Sequence, residues 1–293
     1  MCYAVKMGRT IPSEQAFSVG RHASPIFARR RAVLRETITT LLEADPPDHY
    51  HQLAQTNLAR WHATAPAASQ QPTVQVLPGD WGEVTLALTQ TYGQTFAVLN
   101  MANAYMPGGG YVEGSPAQEE NMFRRTDCHF AVVADDMDPI TERYRPRMTA
   151  LLNADHGRVL LDTRRPRVCL RGGEDRERDD LGYAWLPHDR VFPFYELRAA
   201  ALDLRDGRRF DPEQASAKIC AQLDTLIEAG IRHAVLSAFG CGAFANPADQ
   251  VAGLYAAALR GRPDAFDCVA FAIFDPGYGP DNFTPFERAL ASG

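Results

Sequence analysis

Two glycine-rich segments and one acidic pair hold the residue types in this sequence best suited to chemistry. The first segment runs Leu99-Asn100-Met101-Ala102-Asn103-Ala104-Tyr105-Met106-Pro107-Gly108-Gly109-Gly110. After seven intervening residues comes Gln118-Glu119-Glu120, at the start of a predicted helix. The second segment runs Ser237-Ala238-Phe239-Gly240-Cys241-Gly242-Ala243-Phe244-Ala245-Asn246-Pro247 and leads into another predicted helix. Glycines lack a Cβ, so their backbone amides can come close to a phosphate. A helix N-terminus adds partial positive charge, which favours an anion. Carboxyl groups can hand a proton to a leaving oxygen and then take one from water. Taken singly, each feature has a plain explanation. A triple glycine makes a turn, and an acidic pair complements a helix dipole. Taken together, with both loops following apolar strands, they point to a phosphate-bearing ligand and acid–base chemistry.

Neighbouring residues on a helix face different directions. Glu119 and Glu120 therefore cannot both address one bond: one is the candidate acid/base and the other a substrate contact. The amide of Asn103 can donate and accept, which suits sugar hydroxyls, although an asparagine just ahead of Pro107 also suits a turn. Asn100, at a strand end, either does the same or caps the loop. Cys241 lies inside the second loop with nothing nearby to activate it, so it reads as a small buried packing residue. His129, His188 and His233 have no ligand spacing and read as structural. The six cysteines form no CxxC pair. The chain has no metal motif, and neither a metal nor a cofactor is expected.

These groups need a scaffold. Helical spacing is expected over residues 29–44, stopped by Pro46-Pro47, and again over 51–62. Residues 65–72 have linker composition. From Thr73 the patterns alternate. Strands are expected over 73–77, 84–88, 95–99, 159–161, 167–170, 233–239 and 268–274, and helices over 117–133, 140–152, 213–228, 247–259 and 285–291. Gly230 stands where a helix C-terminus wants it. The order argues an α/β fold with helices on both faces of a central sheet. Two parts are expected: a helical N-terminal extension, 1–70, packed on a catalytic core, 71–293. Residues 171–180, RGGEDRERDD, read as a solvated loop or hairpin tip.

The pattern PGGG, seven residues, then QEE resembles the signature of poly(ADP-ribose) glycohydrolases. Asn100-Met101-Ala102-Asn103 resembles the asparagine-bearing segment of macrodomains. Gly240-Cys241-Gly242-Ala243-Phe244 resembles the family's diphosphate loop, and Phe271-Ala272-Ile273-Phe274-Asp275 its closing strand. The resemblance covers roughly residues 30–290 and is similar in overall length to the smaller bacterial-type members. It implies a macrodomain-like mixed central sheet flanked by helices. It gives Glu120 the acid/base role and Glu119 a contact to the ribose hydroxyls. It gives Asn103 the distal ribose, Phe244 a place over that ribose and Phe274 a stacking place on adenine. A loop or strand phenylalanine otherwise belongs to the core. Gly108, Gly109, Gly110, Gln118, Ser237, Gly240, Cys241, Gly242 and Ala243 are expected to line the ligand. The chain departs from the family pattern at Tyr105-Met106, where bacterial members carry a basic residue, and at the charged stretch 171–180.

The expected activity is hydrolysis of the ribose–ribose O-glycosidic bond of poly(ADP-ribose), releasing ADP-ribose. One alternative is removal of a single ADP-ribose from a protein side chain, motivated by the two departures. Another is a reader that binds ADP-ribose without cleaving it, against which the QEE acid argues. A generic nucleotide-binding protein is disfavoured because neither GxGxxG nor GxxxxGK[ST] occurs. The net charge of −6 provides no general basic surface for nucleic acid. No apolar run reaches the length of a bilayer span, and residues 1–10 lack a signal core. The expectation is a cytoplasmic monomer, or a secreted bacterial effector, acting on ADP-ribose or poly(ADP-ribose) on modified proteins.

Overall fold

The computed structural model describes residues 8–17, 20–66 and 72–291. Most of the linker-like stretch, residues 67–71, lies outside the described residues, as do residues 1–7. The chain divides into two compact units. One comprises residues 1–57, 102–150 and 167–193; the other comprises 58–101, 151–166 and 194–293.

The second unit is built on most of a six-stranded sheet. Its strands are β1 (Thr73–Pro78), β2 (Ala97–Met101), β3 (Leu160–Cys169), β4 (Phe192–Ala199), β5 (His233–Leu236) and β6 (Cys268–Ile273). They lie in the order β1-β6-β5-β2-β4-β3. The pairs β1–β6, β5–β6, β2–β5 and β2–β4 are all parallel. Parallel strands need helical crossovers, and these cover both sheet faces. On one face Leu99, Leu197, Leu236 and Phe271 join a single buried cluster with side chains of α6 (Pro212–Glu228), α7 (Ala248–Arg260) and α8 (Phe283–Leu290). On the other, Trp81 of α3 (Trp81–Tyr92) packs against Phe194, ring centroids 5.4 Å apart.

Helix α3 corrects an expectation. Residues 84–88 form part of a helix, not a strand. The Asp80 carboxylate accepts from the amides of Gly82 and Glu83, and Gly93 closes the helix in the left-handed conformation. A short apolar run is equally compatible with a buried helix, and the caps decide it. Other boundaries move as well: β2 runs over Ala97–Met101 where 95–99 is expected, and β5 ends at Leu236 where 239 is expected. The helix expected over 140–152 is only α5 (Pro146–Leu152), because Pro146 disfavours helix in the residue before it and Asp138 holds a turn through the amides of Ile140 and Thr141. The helix expected over 117–133 is α4 (Gln118–Arg125) followed by a short 3-10 turn, with Thr126 extended in a bridge to Cys169. The two short strands expected near 160 and 168 are the single edge strand β3, whose edge position tolerates Pro166. Strand β4 has no counterpart among the expected elements.

In the first unit α1 (Pro25–Leu42) packs against α4. Thr37 joins them, its hydroxyl donating to the Arg124 carbonyl at 2.7 Å. Residues 171–185 form an irregular hairpin with bridges Arg171–Trp185 and Glu174–Gly182. Residues 175–180 at its tip are exposed, as expected of a solvated tip. Its base is buried. Glu174 makes a two-pronged pair with Arg30, at 2.7 and 2.9 Å, and accepts from the Tyr183 hydroxyl at 2.6 Å. Helix α2 (His49–Thr64) follows α1. Among the described residues no helix is long and apolar enough to cross a membrane.

Candidate active site

The first unit holds the triple glycine and the acidic pair. After β2 the chain turns at Asn103, whose Oδ1 accepts from the amides of Tyr105 and Met106, both at 2.9 Å. Gly108 and Gly109 then take positive φ, 72° and 55°. L side chains rarely adopt that conformation, so the turn needs glycine. Gly109 has a second reason to be glycine, because its backbone runs directly beneath the two carboxylates.

Glu119 and Glu120 diverge, as helix geometry requires. Glu119 turns back to the loop start: Oε2 accepts from the Asn103 amide at 2.7 Å and Oε1 from the Gly108 amide at 3.1 Å. It is 3% exposed, and both its oxygens are engaged with the main chain, so its first task is to shape the loop. Glu120 accepts from the Gly110 amide at 2.8 Å. Burial pushes the Glu120 carboxyl above the usual carboxylate range, against the opposing pull of the Gly110 amide and Arg124. A carboxyl that holds its proton more firmly than an ordinary carboxylate is suited to general acid work. Gln118, at the helix start, is partly buried, and Tyr105 is exposed.

Sequence reasoning missed the layer beneath the loop. Tyr111 is buried, and its hydroxyl lies 2.9 Å from His129 Nδ1. Burial lowers His129 to about 4, so the ring is neutral. Arg9 reaches the loop from 100 residues away, with its Nη1 donating to the Gly109 carbonyl at 2.6 Å. No sequence periodicity marks an arginine in an irregular stretch.

The second unit holds the other predicted loop, which follows β5. Gly240 has a φ of 77°, and a Cβ there would meet Ala201 and Asn246 at 2.5 and 2.6 Å. The buried Asn246 amide ties the loop together, donating to the carbonyls of Leu202 and Gly240 at 2.7 and 3.0 Å. Gly242 and Ala243 are exposed, and Gly242 has open space where a side chain would be. Helix α7 begins directly after Pro247, with no side-chain cap on its first amides. Cys241 is buried and its thiol is pushed up to about 12, which fits a packing role. Ser237 donates to the Ala272 carbonyl at 2.8 Å. Phe244 is half-buried beneath the Arg205 guanidinium, 4.9 Å from the ring centroid. Phe274 is 46% exposed, so it is not a core residue. Asn100 is fully buried on β2, donating to Glu196 at 2.7 Å, and Glu196 pairs with Arg198. Nothing in the sequence pattern marks that buried polar group on two neighbouring strands.

Residues 34–149, which include the triple glycine and the acidic pair, match the family described as microbial-type PARG, catalytic domain. The chain is similar to the crystal structure of poly(ADP-ribose) glycohydrolase from Thermomonospora curvata, with 23% identity, a TM-score of 0.59, and coverage of 90% of this chain and 99% of that one. The chain has the bacterial-type poly(ADP-ribose) glycohydrolase fold. The same glycohydrolase from Thermomonospora curvata bound to the inhibitor ADP-HPD matches at 22% identity, a TM-score of 0.58 and 89% and 99% coverage. The glycohydrolase from Deinococcus radiodurans in complex with ADP-ribose matches at 25% identity, a TM-score of 0.52 and 84% and 92% coverage. No curated protein matches the chain in sequence. The glycohydrolase fold accounts for the six-stranded sheet with helices on both faces, and the family match includes the GGG–QEE segment.

Proposed function

We propose that the protein hydrolyses the ribose–ribose O-glycosidic bond of poly(ADP-ribose) and releases ADP-ribose. The observation that carries this reading is Glu120: a buried carboxyl with a raised pKa, held by the Gly110 amide in a GGG–QEE loop. Glu120 donates its proton to the leaving ribose oxygen as the glycosidic bond breaks. Water then adds to the anomeric carbon and its proton returns to the Glu120 carboxylate, so one water is consumed per cleavage. No second facing carboxylate is needed if the ligand's own diphosphate stabilises the cation.

The remaining roles follow the family resemblance. Asn103 commits Oδ1 to its turn, and its Nδ2 is the group assigned to the distal ribose. Glu119 positions the loop that receives that ribose. Within the second unit, the open backbone at Gly242 and Ala243 is assigned to the diphosphate and Phe274 to adenine. The ligand is ADP-ribose or its polymer on modified proteins.

The test is Glu120→Gln. Turnover of poly(ADP-ribose) should be abolished while ADP-ribose still binds by calorimetry. Full activity of that variant sinks the mechanism. Wild-type protein that releases ADP-ribose only from mono-modified proteins would move the substrate to a side-chain-linked ADP-ribose, and wild-type protein that only binds would make it a reader.

A further inference from the structure

Arg9 lies outside every motif, yet its side chain is 6% exposed and is directed at the triple glycine. Its Nη1 donates to the Gly109 carbonyl at 2.6 Å and its Nη2 to Glu113 at 3.1 Å. Its Nε lies 3.8 Å from a Glu142 oxygen, and its own backbone amide donates to the Tyr111 hydroxyl at 3.2 Å. The preceding residue locks the segment in place: Gly8 has a φ of 78° and lies so close to the His129 ring that a Cβ would meet it at 2.4 Å. Arg9 is therefore a buried cation neutralised by two carboxylates, with one donor reserved for a single carbonyl.

That carbonyl belongs to the peptide unit whose other end is the Gly110 amide. A peptide unit is planar and trans, so its C=O and N–H point in opposite directions. Arg9 grips the oxygen and Glu120 accepts from the N–H at 2.8 Å. Glycine on both sides makes this peptide easy to flip. A flipped peptide would aim a carbonyl oxygen at the Glu120 carboxylate in place of a donor. We propose that Arg9 is a positioning residue that fixes the orientation of the Gly109–Gly110 peptide, and through it the placement of the Glu120 carboxyl. This inference rests on the glycohydrolase reading above.

The test compares wild type with Arg9→Met, which keeps the apolar stem and removes every side-chain donor, and with Arg9→Lys, which keeps one charge and loses the fork. Folding of each is checked by thermal unfolding. In Arg9→Met, kcat on poly(ADP-ribose) should fall about tenfold or more with KM little changed, because the acid is misplaced but the ligand contacts remain. The alkaline limb of its kcat–pH profile should move upward, because Glu120 loses an amide that favours its charged form. Of the other charged groups around Glu120, Arg124 and Glu119 keep their surroundings in that variant, while Glu113 loses its Arg9 partner and pushes Glu120 in the same upward direction. Arg9→Lys should fall between the two. Folded Arg9→Met with wild-type kcat and an unmoved alkaline limb overturns the inference. If Arg9→Met does not fold, a folded Arg9→Lys with wild-type kcat and profile overturns it instead. Wild-type protein inactive on the polymer overturns the functional reading itself, whatever the Arg9 variants do.

Discussion

Gly109 and Glu120 occupy the same space to within a methyl group. A Cβ on Gly109 would lie 2.5 Å from Glu120 Oε1 and 3.1 Å from Glu119 Oε2. Gly109→Ala therefore displaces the Glu120 carboxylate from the Gly110 amide, crowds Glu119 Oε2 and strains a positive φ. We expect a stability loss of about 1–2 kcal/mol and a kcat loss on the order of 100-fold. Urea unfolding and steady-state kinetics on the polymer check the two separately. Unaltered turnover in a folded Gly109→Ala protein would show that the carboxylates do not depend on this contact.

The raised pKa of Glu120 has two pH consequences of fixed sign. A general acid must be protonated, so kcat falls as pH rises through the Glu120 value, above the ordinary carboxylate range. For stability, a folded-state pKa raised above the unfolded value favours the fold below about 4.5, and that contribution is lost as pH rises through the folded value. Glu120→Gln removes the dependence. Relative to wild type the variant should gain stability from acid toward neutral pH, measured by urea unfolding across that range. A constant difference between the two proteins would contradict it.

His129 works in the opposite direction. Burial holds it at about 4, below its ordinary 6.5. Its contribution is complete above 6.5 and is lost as pH falls through about 4. The full effect is at most roughly 3 kcal/mol. His129→Gln should be less stable than wild type at neutral pH and should show a shallower loss of stability toward acid. Unfolding midpoints over this window are the measurement, and parallel curves would rule out His129 as the titrating group.

Asn246 is the bolt of the second loop. Removing its side-chain amide leaves the Leu202 carbonyl without its donor, while the Gly240 carbonyl keeps the Asn246 backbone amide at 3.0 Å. Asn246→Ala should cost about 1–3 kcal/mol. If the loop takes the diphosphate, ADP-ribose affinity should weaken as well. Calorimetry on the folded variant reads this directly, and unchanged affinity would remove the loop from the binding role.

Much of the loop chemistry is legible in the residues. The divergence of Glu119 and Glu120 follows from helix geometry, and each carboxylate does take a different amide. The positive φ values at Gly108, Gly109 and Gly240 fall where glycine runs suggest close backbone approach. The bounds of α6, begun by the Asp211 cap and Pro212, appear nearly residue for residue, and Ile219 and Leu223 are buried as its spacing suggests, whereas Ala217 and Ile227 are exposed. Residues 84–88 mislead because a five-residue apolar run has no period of its own. Its helix is decided by Asp80 and Gly93 outside the run. Glu196 and Arg198 alternate on a strand as solvent-facing residues would, yet both are buried, pairing with each other beside Asn100.

Local features follow from the order of residues alone: where the chain can turn without a Cβ, where helices start, and that two adjacent glutamates must part. Steric and dihedral preferences act within a few residues, so they can be read along the chain. The chemical character of these pieces comes from the folded arrangement. Folding buries Glu120 deeply enough to raise its pKa, commits Glu119 to the Asn103 and Gly108 amides, and brings Arg9 to the Gly109 carbonyl. Desolvation and long-range pairing depend on side chains far apart in the chain, and no spacing along it encodes them.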